Sequence, residues 1–196
     1  MKAVTFQDIL SLEDYEAQRE ERRKKIIQLK SRRRISLGGE ISLVFENRET
    51  VINQIHEMLR AEKITDREAL AHELETYNQL LPRPSALAAT LFIELQDPNN
   101  IRRELERFLG LDGGEHLWID LGSDRRVLAV FEAGHSEEGR ISSVQYVQFP
   151  FGDEERALFL EPAREIAAVI DHPGLRARRV IDPETREELG RDFVDP

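Results

Sequence analysis

The 196-residue chain predicts an α+β fold, an N-terminal helical layer packed on a mixed, mainly antiparallel sheet. Three observations predict it. Up to about residue 84 the apolar residues recur at helical spacing between capping residues. From Ser85 the texture changes to short runs rich in β-branched and aromatic residues, separated by turn residues. Within those runs only four residues separate Trp118-Ile119-Asp120-Leu121 from Arg126, a connection suited to antiparallel neighbours and too short for a parallel crossover. One domain over 1–196 is expected, helix-rich over 1–84 and strand-rich over 85–196.

Taken in order, Thr5 to Leu10 reads as a short capped turn, and Ser11 or Leu12 starts a helix to about Ser31. With Leu12 at zero, Tyr15, Ile26, Arg19 and Arg23 all fall within about 60° of it, so arginine interrupts the apolar stripe. Arg19, Arg22 and Arg23 either pair with Glu on the same helix or lie in water. Alternatively, one of them reaches Glu57 or Glu62, a role that suits the guanidinium fork. Arg34 to Phe45 reads as strand, Gly38-Gly39 turn, strand.

The stretch from Phe45 to Glu62 combines a strand end, Asn47 as N-cap and an amphipathic helix. With Val51 at zero, Ile55, Met58, Leu59 and Ile52 span an arc from about 340° to 100°, the ordinary core stripe. Arg48 and Glu62 fall within the same arc but are about 21 Å apart along the axis, so each needs a partner from elsewhere or a route to water. Asn53, Glu57 and Arg60 cluster on the opposite side, where charges belong on a surface helix.

Thr65-Asp66-Arg67-Glu68 reads as a capping box opening a third helix to about Leu81, with Leu70, Leu74, Tyr77 and Leu81 as its stripe and His72 on the solvated side. Pro82 and Pro84 end it. Ala89 to Leu95 reads as a strand, and Asp97-Pro98 as the cap of a helix bearing Ile101, Leu105, Phe108 and Leu109. Strands follow at His116 to Asp120, Arg126 to Glu132, Ile141 to Phe151 and Glu165 to Ile170. Asp153 to Leu160 is a short helix, and an acidic helix begins at Asp182-Pro183-Glu184.

Composition removes several chemistries. With no cysteine, the chain forms no disulfide, thiolate nucleophile, cysteine zinc site or cysteine-ligated iron–sulfur cluster, which fits a cytoplasmic location. The N-terminal residues lack the apolar core of a signal peptide, and the longest apolar-rich run, Leu87 to Ile93, is too short for a membrane span. Net charge is −10, yet Arg19 to Arg34 holds nine Lys/Arg against two Glu, a local +7 that leaves −17 on the rest. An acidic body argues against nucleic acid, and the basic run has no aromatic residue for base stacking.

There is no phosphate loop, dinucleotide fingerprint, HExxH, calcium loop or nucleophile elbow. Glu132-Ala133-Gly134-His135 has Glu-x-x-His spacing, but Gly134 and Gly139 place it in a loop. His56 flanks the apolar face of its helix as a boundary residue. Asp171-His172-Pro173-Gly174 ends a strand, either as an Asx-type turn or as a ligand or general base, with Asp171 or a distant Glu orienting His172. Glu94 stands in an apolar strand and is expected to face outward.

The segments Phe45 to Val51, Gln54 to Glu62, Ala89 to Glu94 and Asp171-His172-Pro173 resemble a bacterial domain-of-unknown-function family, thirty-five-oh-one, from Leu10 to about Val180. The resemblance transfers no catalytic residue. It implies a link to iron or oxidative stress through neighbouring rubrerythrin-like and iron–sulfur oxidoreductase genes, hence an accessory or binding protein with a redox or iron-handling partner. A second expectation is a metal protein or enzyme. Its site would draw on Glu57, Glu62, Glu94, Asp171 and His172, with Arg48 and Arg60 binding an anion or neutralising carboxylates. The metal ligands would be Glu57, Glu62 and His172, a set suited to iron, manganese or zinc. Nucleic-acid binding by Arg19 to Arg34 comes third.

Overall fold

A computed structural model describes residues 1–94, 97, 99–132, 136–137 and 139–194. Ser11 caps α1 (Leu12–Arg32) by accepting from the Asp14 amide, and Arg33 ends it. The Gly38-Gly39 turn joins β1 (Arg34–Leu37) to β2 (Ile41–Glu46), both glycines at positive φ. Asn47 caps α2 (Arg48–Glu62) as expected, accepting from the Thr50 amide while Thr50 Oγ1 accepts from the Asn47 amide. The N-cap of α3 (Arg67–Asn78) is Asp66 rather than Thr65, because the Asp66 carboxylate accepts from the Ala69 amide.

β3 (Ala86–Ile93) begins earlier than its apolar run suggests; Leu95, Gln96 and Pro98, which the sequence places in a strand end and a cap, lie outside the described residues. Asn100 occupies the N-cap position of α4 (Ile101–Glu106) without a side-chain cap bond. Then follow β4 (Leu117–Gly122), β5 (Arg125–Leu128), β6 (Val130–Phe131), β7 (Ser136–Glu137), β8 (Arg140–Ile141) and β9 (Val144–Pro150). α5 (Asp153–Leu160), β10 (Ala167–His172), β11 (Leu175–Val180) and α6 (Pro183–Val194) complete the described chain.

Instead of one mixed sheet there are two main sheets and a small hairpin, and every ladder among the described residues is antiparallel. One runs β1-β2-β3-β9-β6 and the other β11-β10-β4-β5. The segment read as a single strand from Arg126 to Glu132 passes between them. Ala129 donates to Leu117 O in the second sheet, and Glu132 donates to Tyr146 O in the first. β4 and β5 are antiparallel neighbours, as the four-residue connection predicts. β11 pairs with β10 through the Pro173-Gly174 turn.

Period two along β2 sends alternate side chains to opposite faces. Leu43 and Phe45 enter a core shared with Leu91 and Phe149 of the same sheet and Ile119 and Ile170 of the other. On the opposite face, α2 and α3 cover the five-stranded sheet through Val51, Ile55, Leu59 and Leu74. Burying each of these helix residues contributes about 1.5–3 kcal/mol. The covered face is not all apolar. Register aligns Val44 with Thr90 and Tyr146, and Glu46 with Ala88 and Gln148, so four polar side chains lie beneath the helices.

Candidate functional site

The last residue of β2 sits at the centre of that polar patch. Glu46 is 2% exposed. Its Oε2 accepts from Thr50 Oγ1 at 2.5 Å, on the first turn of α2, and its Oε1 accepts from Thr90 Oγ1 at 2.7 Å, on the neighbouring strand. The Glu46–Thr50 spacing works because the chain turns from strand to helix at Asn47 and brings Thr50 back over the strand end. Among the described residues no Lys, Arg or His pairs with this carboxylate. A buried carboxylate without a cation is costly to keep.

Glu46 lines a pocket of about 310 Å³ between the end of α3, β3, β6 and β9. Tyr146, Gln148 and Glu132 line the pocket with it, Leu80, Leu81 and Val130 form apolar walls, and Arg83 is at the exposed rim. Gln148 is held in place by donating to Leu81 O and accepting from the Arg83 amide. The Tyr146 hydroxyl is pushed up in pKa, first by burial and then by the charges of Glu46 and Glu132. Two carboxylates, a phenol and a carboxamide around an apolar floor give the mixture of a few placed polar groups and apolar walls typical of small-ligand sites.

A second polar constellation joins α1 to α2. Arg19 reaches across to Glu57, with Nε to Oε1 at 2.8 Å and Nη2 to Oε2 at 3.0 Å. Tyr15 adds its hydroxyl to the same carboxylate at 2.7 Å, and Arg60 Nε lies 3.4 Å from it. Glu57 therefore does not lie on a solvent face, because α1 covers the side of α2 opposite the sheet. His56 is buried rather than at a boundary. Its ring stacks on Tyr15 at 4.5 Å, Nε2 accepts from the Leu10 amide and Nδ1–H donates to Ile52 O. Burial pushes its pKa down.

The Arg19 hydrogen bonds, followed by that of Tyr15, hold the Glu57 carboxyl at about 2 instead of 4.5. A depressed carboxylate pKa adds stability that is fully present above the ordinary value and is lost as pH falls through the folded value. Glu57→Gln is therefore expected to melt below the wild type at pH 6, with the gap closing between about pH 4.5 and pH 2. Melting curves of both proteins across that range check it.

The remaining sequence candidates are dispersed. Arg48 pairs with Asp8 at 2.6 Å, and Glu62 is exposed at the last turn of α2, because the helix runs past the core there. Glu94 accepts from Arg34 at 2.5 Å and from the Ser42 hydroxyl. Asp171 is exposed and pairs with Arg176 at 2.8 Å, so it does not orient His172. The His172 ring is spent on backbone: Nε2–H donates to Leu109 O at 3.1 Å and Nδ1 accepts from the Gly174 amide at 3.1 Å. Burial lowers its pKa. Glu57, Glu62 and His172 are not brought together. Among the described residues no group of three His, Cys, Asp or Glu is placed to hold a metal ion. His135 of the Glu-x-x-His motif lies outside them.

The basic run is also divided. Arg19 faces Glu57, Lys24 and Lys25 pair with Glu20 and Glu21 one turn away, and Arg33 is fully buried. Arg33 Nε donates to Phe45 O at 2.9 Å and Nη2 to Glu46 O at 3.2 Å, gripping the end of β2 that carries the pocket carboxylate. The rest of the fork meets Glu188 at 3.2 Å and Asp192 on α6. Among the described residues no helix is long and apolar enough to cross a membrane.

Glu46, Thr90 and Tyr146 are not among the sequence candidates, and Arg33 is read there only as part of the basic run. The available signal was local: Ser42, Val44 and Glu46 share one face of β2, and Glu46 precedes Thr50 by one helical turn.

This geometry defines an α+β protein of two antiparallel sheets on one core, with a buried carboxylate pocket under its helical layer. The chain belongs to the family described as protein of unknown function, DUF3501, whose model matches residues 3–193. It is similar to a crystal structure of a novel protein of unknown function from Burkholderia pseudomallei K96243, at 30% identity and a TM-score of 0.90. That match covers 98% of this chain and 100% of the other. No curated protein matches it.

Proposed function

We propose that the chain is a non-enzymatic accessory protein that binds a small ligand in the Glu46 pocket. The observation that carries this reading is a carboxylate 2% exposed, held by two threonine hydroxyls, left without a cation and facing an open pocket of about 310 Å³. A buried acid in such a position is more costly than an apolar residue of similar size, so its presence calls for a partner. The iron and oxidative-stress link, with a redox or iron-handling partner, is a proposal carried by the family resemblance and by no side chain described above. The cytoplasm is the proposed location.

A fragment library read by thermal shift tests the ligand site. Binders are expected to raise the melting temperature of the wild type and to have no effect on Ala88→Leu, which fills the pocket floor from β3. Hits that stabilise a folded Ala88→Leu protein equally would place binding elsewhere.

A further inference from the structure

Resting on the reading of the pocket as a ligand site, we infer that its ligand carries a protonated amine that seats against Glu46. The first ground is the incomplete hydrogen-bonding of that carboxylate. An ionised carboxyl offers about four acceptor sites, and the two threonine hydroxyls occupy two. What is missing is further N–H donors and a positive charge, and an ammonium supplies both at once. A hydroxyl would supply the donor without the charge, and an anion neither.

The second ground is the sign of the surroundings. Glu132, exposed like Arg83, is a second acid among the lining residues, and after burial the charges of both acids push up the Tyr146 hydroxyl. Among the described residues that line the pocket, Arg83 is the only cation, and it is exposed. The pocket therefore favours a cation. The third ground is its walls. Tyr146 presents a ring on the Glu46 face of the sheet, and an aromatic face next to an ammonium adds about 0.5–2 kcal/mol of attraction. At about 310 Å³ the pocket lies at the small end of ligand cavities, so the occupant is a compact amine with an apolar body.

Calorimetric titration of the full chain with 2-phenylethylammonium, 2-phenylethanol and 3-phenylpropanoate tests the charge directly. The ammonium is expected to bind about tenfold or more tighter than the alcohol, a difference on the order of a single charge-assisted hydrogen bond. The propanoate is expected not to bind. Glu46→Gln keeps the shape and removes the charge, and should bring the ammonium down to the level of the alcohol. Equal binding of ammonium and alcohol, insensitive to Glu46→Gln, would overturn the amine inference and leave the ligand site standing; so would preference for the propanoate. Absence of binding by all three compounds would count against both readings. Should Glu46→Gln not fold, Ala88→Leu replaces it: loss of ammonium binding there supports the seat, and unchanged binding overturns it.

Discussion

Arg33→Met is expected to cost about 3–5 kcal/mol, the range for removing one partner of a buried ion pair. Its guanidinium is fully buried and lies between β2 and α6, donating to Phe45 O and Glu46 O at the end of β2 and to Glu188 and Asp192 on α6. Methionine fills most of the volume but satisfies none of these acceptors. Glu188 retains Arg191 at 3.3 Å, whereas Asp192 loses its main cation. Burial already holds the Asp192 carboxyl above the ordinary range, with Arg33 pulling it back down. Without Arg33 the carboxyl takes up a proton more readily, so the folded variant binds more protons than its unfolded chain and its deficit should shrink as pH falls. Urea unfolding of both proteins at pH 7 and pH 5 measures the deficit and its narrowing. A loss below about 1 kcal/mol would mean that α6 is not anchored this way.

Gly174→Ala is expected to cost about 3 kcal/mol, the upper part of the usual overpacking range, because the obstacle is backbone. A Cβ at this position would lie 2.2 Å from Arg107 O, where no rotamer change can relieve the contact. The Pro173-Gly174 turn is fixed on all sides. Arg107 Nη2 donates to Gly174 O at 3.1 Å, and His172 ties the turn to Leu109 O. For a chain of this size the melting temperature should fall by about 6–12 °C. A normal melting temperature in Gly174→Ala would show that the turn is free to move, and would reopen His172 for another role.

Helices were legible in the sequence where a cap and a 3.6-residue period coincided, as at Ser11 and Asn47. The division into two sheets was not. The run from Arg125 to Phe131 is continuously strand-like, and only long-range hydrogen bonds at Ala129 and Glu132 decide which sheet each half joins. Angular position also has a limit in α2. It shows which residues share a face, but not whether that face meets water or another helix, and Glu57 was misplaced for this reason. Glu62 falls at a core angle and is exposed because the core ends before the helix does. Glu46 was hidden by its place at the junction of two elements. A terminal strand residue reads as solvent-facing until the following helix folds back over it.

A ligand site at Glu46 is tested by amide chemical-shift mapping of the ¹⁵N-labelled full chain with the stabilising fragments. Shifts are expected to concentrate at Glu46, Asn78 to Leu81, Arg83, Ala88 and Ala89, Val130 to Glu132 and Tyr146 to Gln148, and to disappear in Ala88→Leu. Shifts gathered instead at the apolar groove of Leu160, Val180 and Val194, or fragments that leave the Glu46 pocket unmoved, would contradict it.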